Sequence, residues 1–160
     1  MLVNTKIEDL DQIIAMETHS DNSAFVFPNS REEHLDLISN NDINHFVLKE
    51  ANGSLIGYVI LAGLTNANKS IELRRIVISK KGKGYGRKTL KKIKDYCFSE
   101  LQCHRLWLDV LEVNERARYL YQTEGFKEEG ILRDSIFKDG EYQNLIIMSM
   151  LESEYRNQKK

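Results

Sequence analysis

The sequence predicts a mixed α/β domain with an antiparallel hairpin portion, and three observations predict it. Thr5 with Glu8, and later Ser30 with Glu33, have the spacing of a helix-opening capping box, each ahead of apolar residues at helical intervals. From Ile43 the pattern changes to short apolar runs separated by turn residues, Asn52-Gly53 among them. A run of alternating glycines, Gly82, Gly84 and Gly86, then joins a strand to an amphipathic helix.

The elements follow in order. After a first strand, the Thr5 capping box opens a helix through about His19, with Leu10, Ile13 and Ile14 on its apolar face. Ser30 opens a second, short helix holding Leu35 and Ile38. Between them, Phe25-Val26-Phe27-Pro28 reads as an apolar loop whose two phenylalanines are buried in the core or against a ligand, the core being the preferred reading. Ile43 to Lys49 and Leu55 to Leu61 form a hairpin, and Ile71 to Ser79 is a third strand of that group. The helix after the glycines carries Leu90, Ile93, Cys97 and Leu101 on one side. Arg105 to Val110 is an apolar strand in which Trp107 reads as core, and Glu115 to Glu124 is a short helix. Two last strands flank Lys138-Asp139-Gly140. The order is strand, two helices, three strands, helix, strand, helix, two strands.

The chain length of 160 residues suits one domain over 1–160, and 41% hydrophobic with 29% charged residues is an ordinary globular balance. Twenty-three basic residues oppose twenty-four acidic ones, so bulk charge points to neither nucleic acid nor membrane. Lys6, Glu8, Asp9 and Asp11 leave no signal-peptide apolar region near Met1, and no apolar run approaches a membrane span. Cys97 and Cys103 have neither zinc nor redox spacing, and a reducing cytoplasm is the simplest location. His19, His34, His45 and His104 lie far apart with no His-Glu-x-x-His pair, so no metal is expected. No Gly-x-Ser-x-Gly elbow is present either, and covalent catalysis has no visible nucleophile.

The glycine run is the first chemical signal. Alternating glycines between a strand and a helix let backbone N–H groups crowd an anion, and the helix adds the positive end of its dipole. A P-loop needs Lys directly after its last Gly, but Arg87 follows Gly86; a dinucleotide fingerprint needs a third glycine where Thr89 stands. Lys80, Lys81, Lys83, Arg87, Lys88, Lys91, Lys92 and Lys94 surround the loop. A solvated helix face would explain the charges alone, whereas a pyrophosphate site explains charges and glycines together. A nucleic-acid surface would need aromatic residues interleaved with the lysines and overall basicity, and both are missing.

Lys81-Gly82-Lys83-Gly84-Tyr85-Gly86 resembles the GNAT acetyltransferase pattern Arg/Gln-x-x-Gly-x-Gly/Ala, with Lys81 in place of the usual Arg or Gln. Asn114 to Phe126, with Ala117, Leu120, Tyr121 and Gly125, is similar to the family's second signature, Asn-x-x-Ala-x-x-Leu-Tyr-x-x-x-Gly-Phe. Glu129-Gly130-Ile131-Leu132-Arg133 and Met148-Ser149-Met150 resemble the subgroup of ribosomal-protein N-terminal acetyltransferases, which also looks like relatives modifying small amines and antibiotics. The resemblance implies a mostly antiparallel seven-stranded sheet, splayed in the middle and flanked by about four helices. It also implies acetyl-coenzyme A as co-substrate, with direct attack by a primary amine in a ternary complex.

On that resemblance, the pyrophosphate would lie on Lys81, Gly82, Lys83, Gly84, Tyr85, Gly86 and the backbone of Arg87 and Lys88. The pantetheine arm would run along Ile76, Val77 and Ile78 as an added strand does. Asn114 would hydrogen-bond the arm and Ala117 would let it approach. Tyr121 would protonate the departing thiolate, against the plainer reading of a core aromatic. Glu72 would take the amine's proton, although a salt bridge with Arg74 is a fair alternative, and Asp109 is the second candidate base. The acceptor is a small molecule or a protein N-terminus, and a homodimer remains open. The competing reading is a non-catalytic module that senses the coenzyme or binds nucleic acid through the Lys80 to Lys94 cluster.

Overall fold

The computed structural model describes residues 1–19 and 25–160. Its centre is a seven-stranded sheet: β1 (Leu2–Asn4), β2 (Ile43–Lys49), β3 (Leu55–Ala62), β4 (Ser70–Ile78), β5 (Arg105–Leu111), β6 (Lys127–Lys138) and β7 (Glu141–Leu151). The spatial order is β1-β2-β3-β4-β5-β7-β6. Every neighbouring pair is antiparallel except β4 and β5. Five α-helices pack around the sheet among the described residues: α1 (Leu10–Thr18), α2 (Arg31–Ser39), α3 (Tyr85–Asp95), α4 (Glu115–Thr123) and α5 (Glu152–Gln158). The last exceeds the four expected.

Two cores result, one on each face. α1 and α2 lay Leu10, Ile13, Met16, Leu35 and Ile38 against Val47, Tyr58, Ile60 and Val77. On the opposite face Leu90 and Ile93 of α3, Tyr121 of α4 and Tyr155 of α5 meet Val59, Leu61, Leu106, Leu108 and Met148. β3 is buried at every position because both layers rest on it. Each buried Leu or Ile contributes about 1.5–3 kcal/mol relative to exposure, so the two layers hold the sheet from both sides. The turn after β6 places Asp139 (φ 53°) and Gly140 (φ 79°) in the left-handed region, which closes a tight hairpin. α3 continues through a π-helical turn, Tyr96–Glu100, that keeps Cys97 and Phe98 buried and leaves Leu101 half-buried.

Three expectations need correction. Thr5 does not cap α1; its hydroxyl meets His45 Nδ1 at 2.8 Å. The helix is instead entered through a 3₁₀ turn, Ile7–Asp9, where the Asp9 carboxylate accepts from Lys6 N–H at 2.9 Å. Ser30 does cap α2, accepting from Glu33 N–H at 3.1 Å. Phe25 and Phe27 are not core: they are 42% and 37% exposed, because the sheet face beneath is already filled by α1 and α2. Trp107 is half-buried and lies outside both cores, since Leu106, Leu108 and Val110 take the inward positions of β5 and alternation turns Trp107 outward.

Candidate active site

The glycine loop follows β4 directly. Gly82 (φ 74°) and Gly84 (φ 73°) adopt left-handed backbone, and a Cβ built on either meets nothing within 4 Å. These glycines are therefore required by conformation, and the space over them is open. Gly84 is the N-cap of α3 and supplies no side-chain cap, and the first turn contains no acidic residue. The helix's first N–H groups, at Tyr85, Gly86 and Arg87, consequently have no partner inside the helix. Lys88 N–H donates to the Gly84 carbonyl at 3.1 Å, so the backbone donor expected of Lys88 is engaged in the helix. The loop and the first helical turn make an anion cradle of backbone N–H groups.

The basic cluster is not one surface. Lys80 Nζ lies 2.7 Å from Glu50, and the Tyr85 hydroxyl donates to the same carboxylate at 2.7 Å. The Arg87 guanidinium reaches back to Glu124 at 2.5 Å and Thr123 Oγ1 at 3.0 Å. Lys94, the last of the cluster, is 5% exposed and donates to the Glu124 carbonyl at 2.9 Å and its carboxylate at 3.1 Å. Burial pushes the Glu124 carboxyl up, and the bonds from Arg87 and Lys94 outweigh it, leaving it below its ordinary value. Lys83, Lys88, Lys91 and Lys92 remain exposed.

The sheet opens beside this loop. β4 pairs with β5 only at Ser70↔Arg105, Ile71↔Leu106 and Glu72↔Trp107. Beyond that rung β4 stays bonded to β3 as far as Ile78, and β5 stays bonded to β7 as far as Leu111. The β4 edge from Leu73 to Ile78 therefore faces a wedge, and Ile76, Val77 and Ile78 present unpaired backbone to it. A register shift against β3 makes Arg74 an unpaired extra residue. It reverses the alternation: Ile71 and Leu73 point to the α3 layer, whereas Arg75 and Val77 point to the α1 layer.

Three acid–base groups gather at the wedge. Tyr121 projects from α4, is 7% exposed and packs edge-on against Phe126, 5.9 Å between centroids. Its phenol pKa is raised by burial and then by the charge of Asp109. Asp109 stands on β5, two residues past the last shared rung and on the same face as Trp107. It is solvent-accessible, yet the surrounding protein raises its carboxyl pKa by desolvation, then by repulsion from Glu72, against an opposing pull from Arg74. Glu72 accepts from Arg74 Nη2 at 3.2 Å, so the expected salt bridge is present. Asn114 caps α4, its Oδ1 accepting from Ala117 N–H at 3.2 Å. Ala117 is half-buried behind it.

The far side of the wedge has its own rim. β7 pairs with β5 up to Leu111↔Leu145, and the β6–β7 tip extends past that end. At this tip Lys138 Nζ lies 4.8 Å from the Phe27 ring centroid, joining the hairpin to the loop before α2. Sequence reasoning preferred the core over a ligand contact for both Trp107, on the last rung shared by β4 and β5, and Phe27, because apolar character alone reads as core. A hollow of about 750 Å³ also lies outside α3, lined by Leu48, Ile56, Tyr85 and Lys92, but it contains neither carboxylate of the wedge nor the phenol. Among the described residues no cluster of His, Cys, Asp and Glu is arranged to hold a metal.

Comparison with known proteins bears on this geometry. The model of the acetyltransferase (GNAT) family matches residues 9–126. A spermidine N(1)-acetyltransferase of Vibrio cholerae serotype O1 is 36% identical over 121 residues, covering 75% of this chain and 70% of that protein. YdaF of Bacillus subtilis, whose name assigns it provisionally to ribosomal N-acetyltransfer, is 30% identical over 84% of this chain and 71% of its own length. The crystal structure of spermidine N-acetyltransferase from Vibrio cholerae in complex with CoA and spermine superposes with a TM-score of 0.88. It is 31% identical and covers 98% of each chain.

Proposed function

The chain belongs to the acetyltransferase (GNAT) family, and from that premise we propose that it moves the acetyl group of acetyl-coenzyme A onto a primary amine of a small cationic acceptor, by direct attack with both substrates bound. The observation that carries this reading is the wedge between β4 and β5, which has an anion cradle at its mouth and two carboxylates and a phenol beside it. One domain spanning 1–160 performs the whole reaction.

The coenzyme's pyrophosphate takes the N–H groups of Gly82, Lys83, Gly84, Tyr85, Gly86 and Arg87. The side chains of Lys81, Lys83 and Lys88 are the nearby cations. The pantetheine arm adds to the open edge at Ile76, Val77 and Ile78, which offers a strand without a neighbour. Asn114 and Ala117 bound its other side at the start of α4. Alkylamines with pKa values near ~10 are almost wholly protonated at neutral pH, so the acceptor needs a base. Asp109 fills that role better than Glu72, because its raised pKa moves it toward working pH while Glu72 is held by Arg74. As the amine nitrogen bonds to the acetyl carbon and the carbon–sulfur bond breaks, the Tyr121 hydroxyl donates its proton to the departing sulfur. Its raised pKa keeps that proton in place until then.

Glu72, Asp109 and the Trp107 ring together suit a cation, since carboxylates attract it and an indole face accepts it. The relatives' spermidine and spermine fit that chemistry better than a protein N-terminus does. The nucleic-acid reading loses ground because Lys80, Arg87 and Lys94 are engaged within the fold. We place the enzyme in the cytoplasm: Cys97 and Cys103 are buried free thiols, and no helix among the described residues is long and apolar enough to cross a membrane. The test is acetyl-coenzyme A turnover over spermidine, spermine, aminoglycosides, amino acids and peptide N-termini. Acetylation of the polyamines is expected; coenzyme binding without turnover of any amine would make the protein a sensor.

A further inference from the structure

Beneath α1, on the layer opposite the glycine loop, lies a buried polar chain that the chemistry above does not use. Glu17 is 0% exposed, and its carboxylate accepts four hydrogen bonds. Oε1 takes the Tyr58 hydroxyl at 2.6 Å, His34 Nε2 at 2.8 Å and Arg75 Nη1 at 3.3 Å. Oε2 takes the Asn29 N–H at 2.9 Å. The chain continues from His34 Nδ1 to His45 Nε2 at 3.1 Å, and from His45 Nδ1 to Thr5 Oγ1 at 2.8 Å. With both rings neutral and the carboxylate ionised, only one proton order satisfies every bond. His34 donates from Nε2, so His45 must donate to its Nδ1, and Thr5 must donate to His45.

A buried carboxylate is a poor way to gain stability, because desolvation offsets most of its attraction to a partner. Its placement is more informative. One oxygen anchors the loop that carries Phe27, which meets Lys138 at the rim of the wedge. The other anchors Arg75, the first residue past the Arg74 bulge, whose strand goes on to Ile76, Val77 and Ile78. We infer that Glu17 is a positioning residue, joining the acceptor-side loop to the strand along which the coenzyme arm lies. This inference rests on the acetyl-transfer reading above. The His34–His45–Thr5 chain fixes the proton order that keeps the His34 Nε2–H directed at Glu17.

The experiment compares wild type, Glu17→Gln and Arg75→Gln, with Tyr155→Phe as a control that loses a partly buried bond to Asp95, on α3 rather than at the wedge. Spermidine is the probe, measured by turnover with acetyl-coenzyme A and by calorimetric binding in the presence of coenzyme A. In Glu17→Gln the amide must donate where it formerly only accepted, so spermidine KM and Kd should rise roughly 10- to 100-fold, the scale of a small mispositioning. Acetyl-coenzyme A affinity should stay within about two-fold, because the amide oxygen still accepts from Arg75 and the loss falls on the loop held through Asn29. The imidazole ¹⁵N shifts of His34 and His45 should report the same tautomers in every variant, because the amide oxygen takes the place of Oε1, where three donors converge, and the amide nitrogen meets the Asn29 N–H. Tyr155→Phe should lose stability without moving spermidine KM. If Glu17→Gln does not fold, Arg75→Gln decides alone: it frees the strand that carries Ile76, Val77 and Ile78, so acetyl-coenzyme A affinity should fall together with spermidine binding. Wild-type spermidine binding in both Glu17→Gln and Arg75→Gln would overturn the inference. Failure of wild type to acetylate any amine would overturn the acetyl-transfer reading instead, with the binding comparison still deciding the role of Glu17.

Discussion

The coenzyme side and the acceptor side of this protein are built on opposite principles. The first is local: Gly82, Gly84 and the start of α3 form a cradle from consecutive residues, and it works through backbone N–H groups. The second is assembled from parts far apart in the chain: Phe27, Glu72, Trp107, Asp109 and Lys138, with Glu17 and Arg75 behind them. A site made of backbone constrains a short run of sequence tightly. A site made of side chains scattered over several elements constrains each element at one or two positions only, which leaves the acceptor free to differ while the coenzyme stays the same.

The largest effect should come where the two sides meet. Tyr121→Phe keeps the ring and its packing on Phe126 but removes the proton donor. Turnover should fall roughly 10²–10⁴-fold, the usual scale for general acid catalysis, with acetyl-coenzyme A affinity unchanged. Combined loss of binding and stability would make Tyr121 a packing residue of the coenzyme side.

Next in size is the carboxylate pair, which tests the acceptor side alone. Asp109→Asn should lower kcat/KM on the best acceptor by about 10²-fold and abolish the acid limb of its pH profile. Glu72→Gln should keep that limb and move it to lower pH. Removing the Glu72 charge removes one cause of the raised Asp109 pKa, so the base stays ionised further into acid. If Glu72→Gln abolished the limb and Asp109→Asn did not, the two roles would be reversed.

Such tests matter because the two sides were unequally legible in the sequence. The strands and the cradle followed from turn residues and glycines, and the wedge from the family resemblance carried by the glycine run and the signature around Asn114, all short-range signals. Thr5 was misread because its hydroxyl serves a histidine 40 residues away rather than the adjacent helix. Phe25, Phe27 and Trp107 were misread because hydrophobicity does not say which face of an element is already occupied. Lys94 read as one more cation of the cluster around the loop, yet the helix carries it under Glu124. The Arg74 bulge left no local trace, and it is what sends Arg75 to Glu17. Each of these misses depended on a partner distant in the chain.

A smaller effect returns to the cradle. A β-branched residue at Gly84 must adopt φ near 73°, which costs roughly 1–2 kcal/mol for any side chain and fills the open space above the loop. Gly84→Val should therefore lower the melting temperature modestly and abolish the thermal shift caused by acetyl-coenzyme A. Gly86→Ala should leave stability nearly unchanged, since its Cβ would meet Leu120 at an ordinary 3.5 Å. Unaltered coenzyme affinity in Gly84→Val would remove the loop from the coenzyme site.

The smallest effect separates the two sides by pH. Burial lowers the His45 pKa from 6.5 to about 4, with His34 and Arg75 pushing the same way and Glu17 opposing. The unfolded chain takes up this proton near 6.5 and the folded protein only near 4, so the unfolded state binds more protons in between. Stability is then fully present above the upper value and is lost as pH falls toward the lower one, by up to about 1.4 kcal/mol per pH unit. Glu17 adds a loss of the same sign at lower pH: burial raises its pKa, but the bonds from His34, Tyr58 and Asn29 outweigh it and the net shift is downward. Denaturant midpoints across this window should fall in wild type and stay flatter in His45→Gln, where no imidazole can be protonated at that position. A flat wild-type curve would mean that the buried chain accepts a proton without strain, and that the acceptor side lacks the acid sensitivity expected of its buried anchor.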